Sequence, residues 1–142
     1  MERQASRAAL ASLQNRVSDG ADVAQVADMV VTAWQRTAFI LKPIIGERGM
    51  SALYQRSLYV SGREYEWLRP CYQGIQGAMD LTSLKAALAL QQCDVAVQGG
   101  AALFTAFYDL LASLVGEALT TRLLYALWEN SYGAPTAQDG SQ

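Results

Sequence analysis

The chain has 142 residues, of which 51% are hydrophobic and only 17% carry a charge, and its net charge is −2. This length suits one domain with a core that needs no disulfide or metal to hold it together. The slightly negative charge argues against nucleic-acid binding as the main task, because neutralising phosphates requires clustered cations.

The first half of the chain predicts three helices. Residues 2–17 are rich in Ala, Leu, Arg and Gln, which favour a helix. A second helix is predicted from residue 22 to residue 41 or 45, because apolar side chains recur there at helical spacing. Pro43 lacks an amide hydrogen and should kink or stop this helix. Gly46 then precedes a shorter third helix over residues 50–58.

The middle of the chain is less regular. Residues 61–80 carry several glycines, a proline and aromatic side chains, which predict a packed connection with one helical turn around residues 64–68. Leucines at helical spacing then predict a helix that starts at residue 81 or 82 and ends at residue 97. The pair Gly99-Gly100 is expected to break it.

The most apolar stretch comes last, at residues 101–128. Gly116 divides it into two predicted helices, since glycine accepts the left-handed conformation that closes a helix. Charged residues interrupt the stretch, so it falls short of a membrane-spanning segment. The polar tail 133–142 is predicted to be disordered. No strand-like alternation occurs, so we predict one all-α domain over residues 1–132, a compact bundle of about five to six helices.

The chain also resembles itself at a shift of 70 residues. The shift sets Trp34 on Phe104 and Gly46-Glu47 on Gly116-Glu117. One interpretation is a pair of repeated helix-glycine-helix hairpins, related by an approximate two-fold axis. The alternative is that any two apolar helices can be aligned in this way and that Gly-Glu is a common junction.

Residues of the kinds that catalyse reactions or bind metals and phosphates are scarce. The chain has no histidine, which removes the usual acid–base group and the usual zinc and haem ligand. It has no glycine-rich phosphate loop, and Cys71 and Cys93 do not stand at metal-ligand spacing. We therefore predict a protein that is not an enzyme and holds no cofactor or metal. Two reduced thiols and a start without an apolar signal peptide indicate the cytoplasm.

The best candidate for a binding surface is a cluster of arginines and aromatic residues around the irregular segment. These are the residue types enriched at binding hot spots, and loops often carry function. The alternative is that the aromatic side chains close one end of the bundle while the arginines face water. The cluster consists of Arg56, Arg63, Tyr65, Trp67, Arg69 and Tyr72.

Two functions remain open from the sequence. The first is a non-enzymatic interaction or regulatory module that forms a homodimer or binds another protein, with no role for nucleic acid or membrane. The second is a helical bundle that binds an apolar or anionic small molecule between its helices. The pocket of that second hypothesis would be lined by Trp34, Phe104, Phe107, Tyr108 and Trp128.

Overall fold

The computed structural model describes residues 4–74 and 76–123, and nearly all of their backbone is helical. A 3-10 helix (Glu66–Cys71) follows the second α-helix, and residues 117–123 form a further helical segment after the fourth. Within this part of the chain no strand occurs, which confirms the predicted all-α bundle. The tail predicted to be disordered, residues 133–142, lies outside the described residues. The four α-helices are α1 (Gln4–Ser18), α2 (Val23–Ser61), α3 (Leu81–Ala89) and α4 (Cys93–Val115).

Aspartates define the starts of α2 and α3. At α2 the Gln25 amide donates to Asp22 Oδ1 at 2.9 Å, and the Asp22 amide donates to Gln25 Oε1 at 2.8 Å. This reciprocal pair satisfies two amides that the helix itself cannot pair. At α3 the Ser83 amide donates to Asp80 Oδ1 at 3.1 Å. The two caps fix where the chain enters each helix.

α2 breaks at a glycine, three residues after its proline. The helix passes through Pro43 and is interrupted at Gly46, where φ is 83° and ψ is 162°. The stop predicted at Pro43 is therefore wrong, and of the two predicted ends the later one, residue 45, is right. A proline removes one amide donor, whereas this glycine conformation lets no helix continue. The chain is helical again over residues 47–61, a longer segment than predicted.

Gly116 ends α4 with the same kind of backbone conformation. Its φ of 97° has the predicted sign, but its ψ of 150° places it in the extended mirror-image region instead of the left-handed helical one. That region is open almost only to glycine. Gly46 and Gly116 therefore interrupt their helices in the same way.

The break predicted at Gly99-Gly100 is wrong, because α4 begins at Cys93 and continues through both residues. The structure explains the glycines by packing. A Cβ on Gly99 would lie 2.3 Å from Cζ2 of Trp67, and a Cβ on Gly100 would lie 3.0 Å from Cγ2 of Val30. The pair therefore forms a notch for two neighbouring side chains. The preceding helix, α3, ends at Ala89, earlier than the predicted residue 97.

The shift of 70 residues has a structural counterpart. Adding 70 to residues 23 and 45, the ends of the first part of α2, gives 93 and 115, the ends of α4. The same shift maps Gly46 onto Gly116. Trp34 stacks on Phe104, its counterpart under the shift, with ring centroids 4.5 Å apart. Contacts between equivalent positions, here and at the Gly100 notch, mean that the two long helices run parallel and side by side, as they would around a two-fold axis.

The shorter helices complete this arrangement crosswise. α1 packs mainly against α4, and α3 packs mainly against α2. The first helix of each half thus covers the long helix of the other half. By length and composition α4 would suffice to cross a bilayer, but 61% of its most apolar window is buried inside this fold.

Candidate functional site

The end of α2 and the 3-10 helix form a cleft that contains three of the predicted binding residues. Arg63, Arg69 and Tyr72 line it together with Leu58 and Tyr59, and its volume is about 300 Å³. We call this the arginine–tyrosine cleft.

The backbone brings these residues together through a tight turn after α2. The Gly62 amide donates to the Leu58 carbonyl at 2.8 Å and the Tyr65 amide donates to the Ser61 carbonyl at 2.9 Å, which closes the helix. Arg69 Nε then donates to the Gly62 carbonyl at 2.9 Å. This hydrogen bond ties the 3-10 helix to the end of α2 and places a cation where the helix dipole is negative.

Aromatic rings form the walls of the cleft. The rings of Tyr59 and Tyr72 lie 5.5 Å apart with an interplanar angle of 52°. The guanidinium carbon of Arg63 lies 5.4 Å from the centre of the Tyr59 ring, within the range of a cation–π contact. The cation–π contact holds the Arg63 side chain against the aromatic wall of the cleft.

The charge of the cleft is positive and unbalanced. Within residues 4–74 and 76–123, no carboxylate forms an ion pair with Arg63 or Arg69. Elsewhere in the same part of the chain a close pair does form, between Lys85 Nζ and Asp28 Oδ1 at 2.7 Å. The two guanidinium groups are therefore available to a carboxylate or another anion from outside.

The remaining predicted residues lie elsewhere. Trp67 is half-buried and packs against Gly99 of α4, and Tyr65 meets the Trp67 ring edge-on at 6.3 Å. Trp67 thus packs against α4, and neither Trp67 nor Tyr65 lines the arginine–tyrosine cleft. Arg56 is exposed on α2 outside the cleft lining.

Sequence reasoning missed Leu58 and Tyr59. Tyr59 was missed because the helix predicted over residues 50–58 ends before it, so no shared helical face with Arg63 was expected; α2 in fact continues to Ser61. Leu58 carried no signal that separates it from an ordinary core leucine.

The aromatic side chains predicted to line a ligand pocket pack on one another. Trp34, Phe104, Phe107 and Tyr108 are fully buried. The Trp34 ring meets the Phe107 ring edge-on at 4.9 Å, in addition to its stack on Phe104. The arginine–tyrosine cleft is lined by other residues, and the fifth predicted residue, Trp128, lies outside the described residues.

Two buried polar atoms in this core lack partners. Neither Nε1 of Trp34 nor the hydroxyl of Tyr54 has a hydrogen-bond partner among the described residues. The two rings meet edge-on at 5.0 Å. Burial raises the pKa of the Tyr54 hydroxyl well above its usual value, and the nearby Cys71 and Asp80 raise it further.

In the described ranges no three cysteine, aspartate or glutamate side chains lie close enough together to hold a metal ion. Comparison of the chain with protein-family models, with curated proteins and with solved structures gives no match.

Proposed function

We propose that the protein is a non-enzymatic interaction module whose arginine–tyrosine cleft binds an acidic segment of a partner protein. The observation that carries the proposal is the pairing of Arg63 and Arg69 with Tyr59 and Tyr72 around one cleft, where no described carboxylate neutralises the two cations. Arginine and tyrosine are also among the residues that contribute most to binding at protein interfaces.

The cleft suits a carboxylate that arrives on an extended chain. A guanidinium group offers two parallel N–H donors to the two oxygens of a carboxylate, which adds both energy and orientation. Arg69 is already held through its Nε by the Gly62 carbonyl, so less side-chain freedom is lost when its terminal nitrogens bind a ligand. The Tyr59 and Tyr72 rings and Leu58 supply apolar surface beside the charge.

The size of the cleft favours a short peptide segment over a whole folded surface. Its volume of about 300 Å³ is at the lower end of the range for small-ligand sites, enough for one or two side chains. The small-molecule alternative has less support, since the aromatic residues proposed for that pocket fill the core with their own rings.

The test is a binding titration with a fluorescein-labelled short peptide of alternating glutamate and leucine, followed by fluorescence anisotropy. We expect saturable binding that weakens as salt is added, because the attraction is between charges. Arg63→Ala and Arg69→Gln should each weaken binding by about tenfold or more, the loss of one charged hydrogen-bonding pair.

Two controls make the result specific. The matched peptide of glutamine and leucine should not bind. Arg16→Ala removes an exposed arginine in the last turn of α1 and should leave the affinity for the glutamate peptide unchanged. Equal binding of the glutamate and glutamine peptides, or equal losses in Arg16→Ala and Arg63→Ala, would contradict the proposed function.

A further inference from the structure

Gln55 is a buried polar side chain that does not line the arginine–tyrosine cleft. It is 1% exposed, and its amide bonds two backbone groups of the connection between the 3-10 helix and α3. Gln55 Oε1 accepts from the Gln73 amide at 2.9 Å, and Gln55 Nε2 donates to the Ala78 carbonyl at 2.6 Å. A buried side-chain amide that is bonded through both its oxygen and its nitrogen fixes the backbone groups that it bonds.

The connection is packed tightly around this amide. A Cβ on Gly77 would lie 2.7 Å from Cβ of Gln73 and 3.1 Å from Nε2 of Gln55, so the backbone there comes closer than a side chain would allow. The Gln73 side chain also donates from Nε2 to Oδ2 of Asp80, the residue that caps α3, at 3.3 Å. Residue 73 is therefore held through its backbone by α2 and through its side chain by the start of α3.

Residue 73 directly follows Tyr72, whose ring lines the cleft. The Tyr72 amide donates to the Arg69 carbonyl at 3.0 Å. The Gln73 amide belongs to the next peptide group, which is planar and contains the Tyr72 carbonyl. The bonds to Arg69 and Gln55 thus hold the peptide groups on both sides of the Tyr72 Cα, and these set the direction in which the side chain leaves the backbone. In that direction the Tyr72 ring lies 5.5 Å from the ring of Tyr59.

We propose that Gln55 is a positioning residue of the arginine–tyrosine cleft, which keeps the Tyr72 ring against Tyr59 from outside the cleft. A wall that is already in place loses less freedom when a peptide binds, which strengthens binding. This gain in affinity rests on the proposed function, whereas the placement of the Tyr72 ring is a property of the unbound protein. The two can therefore be tested separately.

The first test is the contact between the two tyrosine rings, followed by nuclear Overhauser effects in the NMR spectrum of the full-length, unbound protein. Gln55→Leu removes both hydrogen bonds and should abolish the cross-peaks between the ring protons of Tyr59 and Tyr72. Gln55→Asn keeps a polar side chain but is one methylene too short to reach both backbone groups, so it should lose the cross-peaks as well.

Thr37→Val is the matched control for these variants. Thr37 is fully buried on α2 outside the cleft lining, and its hydroxyl donates to the Ala33 carbonyl at 2.7 Å. The control thus loses a buried hydrogen bond elsewhere and should keep the ring cross-peaks. Circular dichroism confirms that each variant is folded. Cross-peaks that persist in folded Gln55→Leu or Gln55→Asn would overturn the proposal.

The second test is the affinity for the labelled glutamate–leucine peptide. Gln55→Leu should raise the peptide Kd by about fivefold or more, and Thr37→Val should leave it within about twofold of wild type. In a Tyr72→Ala background the ring is gone, so adding Gln55→Leu should cost no further affinity. An equal further loss in that background would overturn the proposal, since Gln55 would then act through another group. A wild type that does not bind the peptide, with ring cross-peaks that disappear in Gln55→Leu, would contradict the proposed function and support the positioning role.

Discussion

At the scale of single residues, the most unusual feature is the pair of unpartnered polar atoms in the core. The Tyr54 hydroxyl and the Trp34 indole nitrogen are both buried without a hydrogen-bond partner among the described residues. The neighbouring Gln55 shows the opposite case, because its side chain accepts from the Gln73 amide at 2.9 Å and donates to the Ala78 carbonyl at 2.6 Å. Gln55 thereby fastens the connection after the 3-10 helix to α2, whereas the Tyr54 hydroxyl contributes no such bond.

Replacing Tyr54 by phenylalanine should therefore stabilise the protein or leave its stability unchanged. Burying a hydroxyl without a partner costs about 1–3 kcal/mol, and phenylalanine keeps the edge-on contact with Trp34. We expect the free energy of unfolding of Tyr54→Phe in urea at neutral pH to equal or exceed that of wild type by up to about 1 kcal/mol. A loss of more than about 1 kcal/mol would show that the hydroxyl has a bonding partner in solution.

The same substitution should change how stability depends on alkaline pH. The pKa of Tyr54 is raised in the folded state, first by burial and then by Cys71 and Asp80, from its ordinary value of 10.0. Below pH 10 both states keep the proton, and above it the unfolded state releases the proton first, so stability is lost as the pH rises. The free energy of unfolding of wild type, measured in urea, should thus fall more steeply above pH 10 than that of Tyr54→Phe. Cys71 is present in both proteins, so parallel pH profiles would contradict this assignment.

At the scale of elements, glycine shows what the sequence could and could not predict. Gly46 and Gly116 end helices, as their positions after long apolar runs predicted. Gly99 and Gly100 have the same composition signal but lie inside α4. A local pattern cannot distinguish these cases, because the reason for a packing glycine is a side chain distant in sequence, here Trp67, whose ring occupies the space of the missing Cβ.

Gly99→Ala should accordingly destabilise the protein. In an exposed helix interior this change adds about 1 kcal/mol of stability, but here the new methyl overlaps the Trp67 ring and must displace it. We expect a loss of about 2 kcal/mol or more in the free energy of unfolding, measured by urea titration.

A double-mutant cycle separates the overlap from any other cost. In a Trp67→Ala background the ring is gone, so adding Gly99→Ala should cost nothing further and should recover the gain expected of alanine in a helix. Equal costs in both backgrounds would show that Trp67 does not occupy the notch in solution.

At the scale of the whole molecule, the first helix of each half packs on the long helix of the other half. The 70-residue shift predicted that the helix before Gly46 corresponds to the helix before Gly116, and the structure places three of the predicted binding residues, Arg63, Arg69 and Tyr72, in one cleft. The crosswise packing of α1 on α4 and of α3 on α2 was not predictable. Periodicity shows which face of a helix is apolar, but it does not show which other helix covers that face.

This crosswise packing predicts that neither half folds alone. Cutting the chain after Gly74 gives residues 1–74 and 75–142, and it separates each long helix from the short helix that covers it. It also separates Trp34 from Phe104, so each half would expose the apolar face that the other half buries. We expect each fragment alone to lack a cooperative thermal transition in circular dichroism, and an equimolar mixture to regain helical signal and a single transition.

A variant fragment shows whether the recovery depends on native packing. Val30 is fully buried and faces the notch at Gly100, so fragment 1–74 carrying Val30→Asp should not recover structure when mixed with wild-type 75–142. If instead fragment 1–74 melted cooperatively as a monomer, the apolar face of α2 would be buried by residues of the same fragment. The crosswise arrangement would then not be what holds the two halves together.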